Sequence, residues 1–470
     1  MSRDLSADVA IVGGGLTGVS TAWHLSERFP KLHVVLLEAR SLANGASGRN
    51  GGQVLAGING VEARDAATAL RIYQVTCRGI DIVEQLASRC GLDAGFVRSG
   101  CLEVSTTAAG AEEARRRVEV ANSWGLPLRW LAGAASGVHG AYGAVLDPSA
   151  GRVNSAALVR GLREVLIARG VEIYEDTPVL RVEEGTTVTL GTGSSTVRAG
   201  AVVLATNAYT PSLGYFRSGI LALHSHVVAT RPLPQEVWAA LGWSGHEGFT
   251  DDLDRIAYGC RTPAGRMVFG GGGNAAYSYR MGGSPVLEEP SARAYDAIEE
   301  RLREYFPVLG VGGVGAPAGQ AGRSGGAGPA GRAGQGRGAA SAGRAGQGRG
   351  AASAGRAWRD RAGPRSPSHV DALITHRWSG PLALTFDRVC TMGVGGAARN
   401  LYYALGYSGH GLALAALAGR VLADLYAGDH EPWRDLPFYQ RRLPFIPPDP
   451  FRWVGYQIVT RLTGRSPRRR

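Results

Sequence analysis

Glycines at fixed spacing, one acid and a short run of small polar residues are the groups in this 470-residue chain whose types and order can do chemistry. The apolar segment Val9-Ala10-Ile11-Val12 runs directly into Gly13-Gly14-Gly15-Leu16-Thr17-Gly18. A second apolar segment, His33-Val34-Val35-Leu36-Leu37, ends on Glu38. Gly-x-Gly-x-x-Gly between a strand and a helix, followed by such an acid, is a dinucleotide fingerprint. Gly13 permits the tight turn, Gly15 lets a pyrophosphate approach the backbone, and Gly18 lets the helix of about residues 17–28 lie close on the sheet. The N-terminus of that helix then faces phosphate. The Glu38 carboxylate is placed to accept hydrogen bonds from the ribose hydroxyls and would repel a 2′-phosphate, which argues against NADP. Ala39 and Arg40 continue the same stretch.

The next glycine-rich segment separates FAD from NAD. Asn44-Gly45-Ala46-Ser47-Gly48-Arg49-Asn50-Gly51-Gly52-Gln53 begins a few residues after Glu38, where an NAD-binding unit would start its next helix. FAD is longer, and its ribityl chain and isoalloxazine ring need a second loop of small residues beside them. Ser47 and Arg49 offer a hydroxyl and a guanidinium to phosphate. Gly48, Asn50, Gly51 and Gly52 leave space and backbone donors near the ring. Far along the chain, Gly406-Tyr407-Ser408-Gly409-His410-Gly411 opens an apolar helix at Leu412–Gly419.

The Ala46–Gly52 string and the Gly406–Gly411 turn together resemble the D-amino-acid-oxidase-like family of FAD-dependent amine oxidoreductases, and within it the γ-glutamylputrescine oxidase branch. The resemblance covers about residues 5–310 and 372–455. It implies an α/β fold: a Rossmann-like FAD-binding domain of the glutathione-reductase/D-amino-acid-oxidase type, interrupted by an α+β substrate domain on a mixed sheet. The FAD domain is expected over 1–90, 147–210 and 372–430, with re-entry at Ile374–Trp378, and the substrate domain over 91–146 and 211–310. A low-complexity insertion fills 311–370, and 431–470 forms a C-terminal extension with a basic tail. The resemblance also implies that Val179 turns backbone groups to the adenine and that Ala205-Thr206 closes the pyrophosphate side. Gly406, Ser408, Gly409, His410 and Gly411 are expected over the ring. The helix behind them would then oppose the negative charge of the reduced flavin at its N1/C2=O edge.

The chemistry so implied is hydride transfer from the carbon beside an amine nitrogen to flavin N5, hydrolysis of the imine, and reoxidation by oxygen to hydrogen peroxide. The cofactor carries the difficult step, so no Ser-His-Asp set or carboxylate pair is required. His410, Tyr407 and Arg377 are the candidate catalytic side chains. Each has a plain alternative: His410 fixing its turn, Arg377 pairing with an internal acid, Tyr407 and Tyr258 packing in a core. His376 and Trp378 are candidates for the substrate side. Cys390 lies in a context unlike that of a flavin tether, so the FAD is expected to be non-covalent. The partners are a small-molecule amine and oxygen, with no metal. A dehydrogenase of N-methyl or imino acids using another acceptor, and a flavin-containing RNA-binding or tRNA-modifying protein, are the alternatives.

Composition limits the choice further. The net charge of +12 looks like a nucleic-acid signature, but nine arginines face only Asp360 between Gly312 and Val370, and five more lie in the last ten residues. The remainder is close to neutral, and no nucleic acid is expected to bind it. The segment repeats Ala-Gly-Arg-Ala-Gly-Gln-Gly-Arg-Gly-Ala-Ala-Ser at 330–341 and 342–353 and has too little apolar surface to order itself. A tolerated insertion, a frame-shifted stretch of a GC-rich gene and an RNA- or membrane-binding arm compete as readings. The repeats interleave no aromatics for bases to stack on, which disfavours the arm. Five cysteines (77, 90, 101, 260, 390) form no Cys-x-x-Cys or Cys/His cluster, as in a reducing compartment. The first strand begins almost at the N-terminus, and no apolar run is long enough to span a membrane, so a cytoplasmic location is expected. Pro444–Leu462 reads as a packed terminal helix in preference to a membrane-surface anchor.

Overall fold

The structure is a computed structural model that describes residues 3–89, 94–243, 247–253, 256–271, 292–310 and 373–463. The expected insertion at 311–370 lies outside the described residues. The first sheet is built from β1 (Leu5–Val12), β2 (Val34–Leu37), β8 (Glu172–Tyr174), β9 (Val179–Glu183), β10 (Val188–Thr192), β11 (Thr196–Leu204), β17 (Thr391–Gly395) and β18 (Leu401–Leu405). Its main order is β17-β18-β11-β1-β2-β8, with β10 and β9 leading off β11. β1 pairs in parallel with both β2 and β11. Val9–Val12 and all of β2 are buried, as strands covered on both faces must be.

Helices α1 (Leu16–Arg28), α2 (Ala66–Arg89), α4 (Ser155–Ala168) and α7 (Gly411–Tyr426) cover this sheet. The glycines and alanines of α7 set how closely its neighbours approach. A Cβ on Gly419 would stand 2.2 Å from Ser20 Oγ of α1, and one on Gly79 of α2 would stand 2.4 Å from the Ala413 carbonyl. Ser20 Oγ also donates to the Ala416 carbonyl at 2.7 Å. α4 starts where Asn154 accepts the Ala157 N–H at 3.1 Å, the N-cap that its sequence predicts.

The second sheet has the order β16-β12-β15-β14-β13-β4-β6-β5. Its strands are β4 (Cys101–Ser105), β5 (Arg129–Ala132), β6 (Gly143–Asp147), β12 (Leu221–Thr230), β13 (Gly248–Asp251), β14 (Ala257–Arg261), β15 (Met267–Gly271) and β16 (Ile374–Leu384). Trp238, Trp243, Phe249, Phe269 and Phe306 form its core under α5 (Gln235–Ala240) and α6 (Ala292–Tyr305). α3 (Ala108–Ser123) packs on its other end, against β6. A ribbon of β3 (Gln53–Val54) and β7 (Gly151–Arg152) stands between the sheets.

Two expected boundaries change. Ile374–Trp378 does not re-enter the first sheet: it opens β16, which pairs along the whole of β12, and the return begins with β17. Within the expected C-terminal extension, Leu436 and Phe438 join the first core. Phe438 is fully buried in the first core, and its carbonyl accepts the Met392 N–H at 2.9 Å. α8 (Phe451–Thr463) packs through Trp453 and Tyr456 on Leu221 and Ile446, while Phe451, Val454, Ile458 and Val459 face solvent. No helix among the described residues is long and apolar enough to cross a membrane.

Candidate flavin and substrate site

The fingerprint turn adopts the geometry its glycines predict. Gly13 has φ +110°, open to glycine and strained for other residues. A Cβ on Gly18 would lie 1.9 Å from the Gly13 carbonyl, so α1 can start this close to β1 only with glycine there. The Glu38 carboxylate accepts the Gly14 N–H at 2.7 Å and the Arg40 N–H at 3.0 Å. Burial raises its pKa, against the opposing pull of these two amides. Asp176 and Thr177, just before Val179 of β9, donate their N–H groups to the Arg40 and Glu38 carbonyls at 2.7 and 2.8 Å. Ala205-Thr206 closes on the turn from the other side, its Ala205 carbonyl 2.7 Å from where a Gly13 Cβ would be.

The three glycine-rich stretches meet. Ser47 Oγ accepts the Leu16 N–H at 2.8 Å, and the Tyr407 hydroxyl lies 2.7 Å from Thr17 Oγ1. Asn59 Nδ2 donates to the Ser408 carbonyl at 2.8 Å, and Gly406 N–H donates to Asn207 Oδ1 at 3.0 Å. Ser408 has φ +49°, a left-handed conformation that costs a non-glycine residue about 1 kcal/mol or more. Its Oγ offsets this by donating to the Gly406 carbonyl at 3.0 Å. His410 is the N-cap residue of α7 and forms no side-chain cap bond; its N–H closes the turn by donating to the Tyr407 carbonyl at 3.0 Å.

These positions fit FAD on structural grounds. The first turns of α1 and α7 contain no acid, and neither N-cap residue makes a side-chain cap bond, so the partial positive charge at both helix ends favours a negatively charged ligand. A Cβ on Gly15 would stand 3.0 Å from Ser47 Oγ, narrowing the space a pyrophosphate needs. Leu16, Thr17, Gly48, Gly52, Gly409 and Gly411 belong to these same turns.

Several expected side-chain roles change. Arg49 directs Nε to the Asn44 carbonyl at 2.6 Å and an Nη to the Ser379 carbonyl at 3.1 Å; it fastens the second loop to β16. Tyr407 is 5% exposed inside the first core, with its hydroxyl on Thr17 of α1, the core packing that was its plain alternative. Arg377 holds Glu299 of α6 at 2.9 and 2.7 Å, the internal pairing that was its plain alternative. Cys390 is 1% exposed, and burial raises its pKa to about 12.

Tyr258 of β14 faces the second loop. Its ring lies 2.7 Å from where a Gly51 Cβ would be, its hydroxyl is 2.9 Å from Ser225 Oγ, and burial raises its pKa to about 12. Trp378 shares that side, with Nε1 donating to the Arg49 carbonyl at 3.0 Å.

Asn59, Asn207 and Gln53 were not singled out as site residues, because a lone amide in a loop carries no periodic signal. Gln53 Nε2 donates to the Phe249 and Gly259 carbonyls at 2.9 and 2.7 Å, joining the second loop to β13 and β14. Gln53→Leu removes both bonds and leaves an apolar side chain against the two carbonyls. We expect it to lower unfolding free energy by about 1–3 kcal/mol in urea titration, and to reduce flavin content.

Comparison with known proteins agrees with this geometry. Gamma-glutamylputrescine oxidoreductase of Escherichia coli strain K12 is 26% identical over 458 residues, spanning 93% of this chain and 88% of that one. The crystal structure of glycine oxidase from Geobacillus kaustophilus superposes with a TM-score of 0.65 at 20% identity, covering 94% of this chain and all of the other. L-proline dehydrogenase from P. horikoshii superposes with a TM-score of 0.64 at 18% identity, covering 90% and 94%. The sequence model of the DAO family, FAD dependent oxidoreductase, matches residues 8–325 and 325–425, and the chain belongs to that family of FAD-dependent enzymes.

Proposed function

We propose that this flavoenzyme oxidises an amine at the carbon beside nitrogen, acts on a γ-glutamylputrescine-like substrate, and passes the electrons to oxygen. The observation that carries the reading is the meeting of three distant turns: Ser47 on Leu16, Tyr407 on Thr17 and Asn59 on Ser408. The second loop in turn touches the other sheet, Gly51 against the ring of Tyr258 and the Arg49 carbonyl on Trp378 Nε1. Similarity to the E. coli enzyme over most of both chains supports the substrate class.

FAD, when bound, supplies the hydride acceptor at N5. The chain contributes position and electrostatics. The partial positive charge at the α7 N-terminus would favour the negative charge of reduced FAD bound beside it. Tyr258, with a pKa of about 12, stays a neutral hydroxyl that orients a substrate and abstracts no proton. Burial of Cys390 at 1% exposure keeps its thiol from the cofactor, which supports non-covalent FAD. Cys77, Cys101, Cys260 and Cys390 are all free, in keeping with a reducing, cytoplasmic setting. Turnover of a γ-glutamyl amine in air tests the reading: one hydrogen peroxide per imine is expected, and turnover with a dye but no peroxide contradicts it.

Glu38 sets a pH dependence. The ribose hydroxyls are donors, so they favour the ionised carboxylate, whereas burial raises its pKa above the ordinary 4.5. FAD affinity is therefore full above this raised pKa and falls as pH drops through it, earlier than for an ordinary carboxylate. Fluorescence titration of apoprotein checks this, and Glu38→Gln is expected to flatten the profile.

A further inference from the structure

Exposed apolar side chains in this protein are concentrated in one place. Of the ten large ones exposed among the described residues, six are Phe386, Phe445, Phe451, Val454, Ile458 and Val459. Each lies within three residues of a member of one small cluster, in which Leu221, Leu384, Ile446, Trp453 and Tyr456 pack together. Single apolar residues scattered over a surface need no explanation, whereas a patch of them marks a surface that something covers.

Helix α8 is inverted relative to an ordinary surface helix, which turns its polar side to water. Phe451, Val454 and Ile458 follow at intervals of three and four, which sets them on one face, and they are 71%, 44% and 54% exposed. The charged Arg452 is used on the protein instead: its Nε donates to the Pro447 carbonyl and an Nη to the Arg217 carbonyl, both at 2.8 Å. Trp453 and Tyr456 pack on the cluster. The helix is therefore packed, as its sequence predicts, and keeps a second, apolar face. It has 13 residues, about 20 Å of helix, short of the roughly 30 Å that crosses a bilayer. A helix of this kind lies in the plane of a lipid surface, with its apolar side at the level of the headgroups.

Charge selects the occupant. Residues 450–470 include six arginines and no acid. A second copy docked through the same face would bring two such segments together, and like charges repel. The segment between 312 and 370, with nine arginines and one acid, carries the same sign. A lipid surface of negative charge attracts the arginines and accepts the apolar side chains.

We propose that α8 and the arginines around it dock this enzyme on a membrane surface containing anionic phospholipid, with Phe451, Val454 and Ile458 inserted among the headgroups. The inference does not depend on which amine is oxidised.

The test is sedimentation of holoenzyme with vesicles of phosphatidylcholine alone and of phosphatidylcholine mixed with phosphatidylglycerol. Binding to the mixed vesicles is expected to be at least about tenfold tighter and to weaken as salt is raised. Val454→Glu combined with Ile458→Glu is expected to weaken it about tenfold or more, with flavin content, melting temperature and kcat in solution unchanged. Phe451→Ser, which adds no charge, is expected to weaken it several-fold. Equal binding to both kinds of vesicle, or none, overturns the proposal. So does binding to the mixed vesicles that neither variant alters, which assigns the attraction to arginine charge alone. A holoenzyme that is dimeric without lipid and monomeric as the double variant also overturns it, giving the face to a second copy. Loss of flavin or a lower melting temperature in the double variant does the same, making the face part of the fold.

Discussion

Gly18→Val is expected to give a folded protein that purifies without flavin. Even a methyl group at this position would come within 1.9 Å of the Gly13 carbonyl and 3.4 Å of Ile11 Cγ2. Helix α1 would have to lift away from β1. It cannot do so freely, because its other side is closed by α7, with Ser20 bonded to the Ala416 carbonyl at 2.7 Å. Overpacking of this kind costs about 1–3 kcal/mol, and here it falls on the helix end that faces the pyrophosphate, so FAD affinity is expected to drop about a hundredfold or more. The flavin-to-protein absorbance ratio measures it, with far-ultraviolet dichroism as the control for folding. Gly45→Ala serves as the contrast. Its Cβ would meet only Tyr209 Cε2 at 3.7 Å, an ordinary contact, and its flavin content is expected to stay at the wild-type level.

Arg377→Ala is expected to destabilise the protein by about 2–4 kcal/mol while leaving kcat within a few-fold of wild type. The asymmetry of the pair sets the size. The Glu299 side chain is 8% exposed and that of Arg377 38%, so removing the arginine strands a carboxylate that water cannot reach. Arg303 lies 3.8 Å from the same acid and offsets part of the loss. Glu299→Gln should cost less, because the guanidinium left behind is already partly hydrated. Urea unfolding of both variants gives the comparison, and a collapse of kcat in a stable Arg377→Ala would restore the arginine to the catalytic machinery.

What the sequence discloses follows the range over which each feature is decided. The fingerprint is a strand, a turn and a helix within some thirty residues, and Gly13, Gly15, Gly18 and Glu38 shape their turn where they are read. The Gly406–Gly411 turn is legible for the same reason, as a helix start with local glycines. The placement of Ile374–Leu384 is not local. Its membership of the second sheet is decided by pairing with Leu221–Thr230, nearly 150 residues away, across a low-complexity segment that carries no period. For Tyr407 the sequence leaves a site role and core packing open, and its burial is decided by long-range packing on α1 that a sequence pattern does not encode. Arg49 and Arg377 look alike as charges on the substrate side, and only the structure supplies their partners.

Anaerobic reduction of the bound flavin tests the central claim most directly. The purified holoenzyme is mixed, without oxygen, with γ-glutamyl amines, free polyamines, sarcosine and D-amino acids, and the visible flavin bands are followed. Bleaching by a γ-glutamyl amine, in one step and at a rate at least equal to turnover in air, is the predicted result. A fully flavinated protein that no amine or amino acid bleaches would contradict the account.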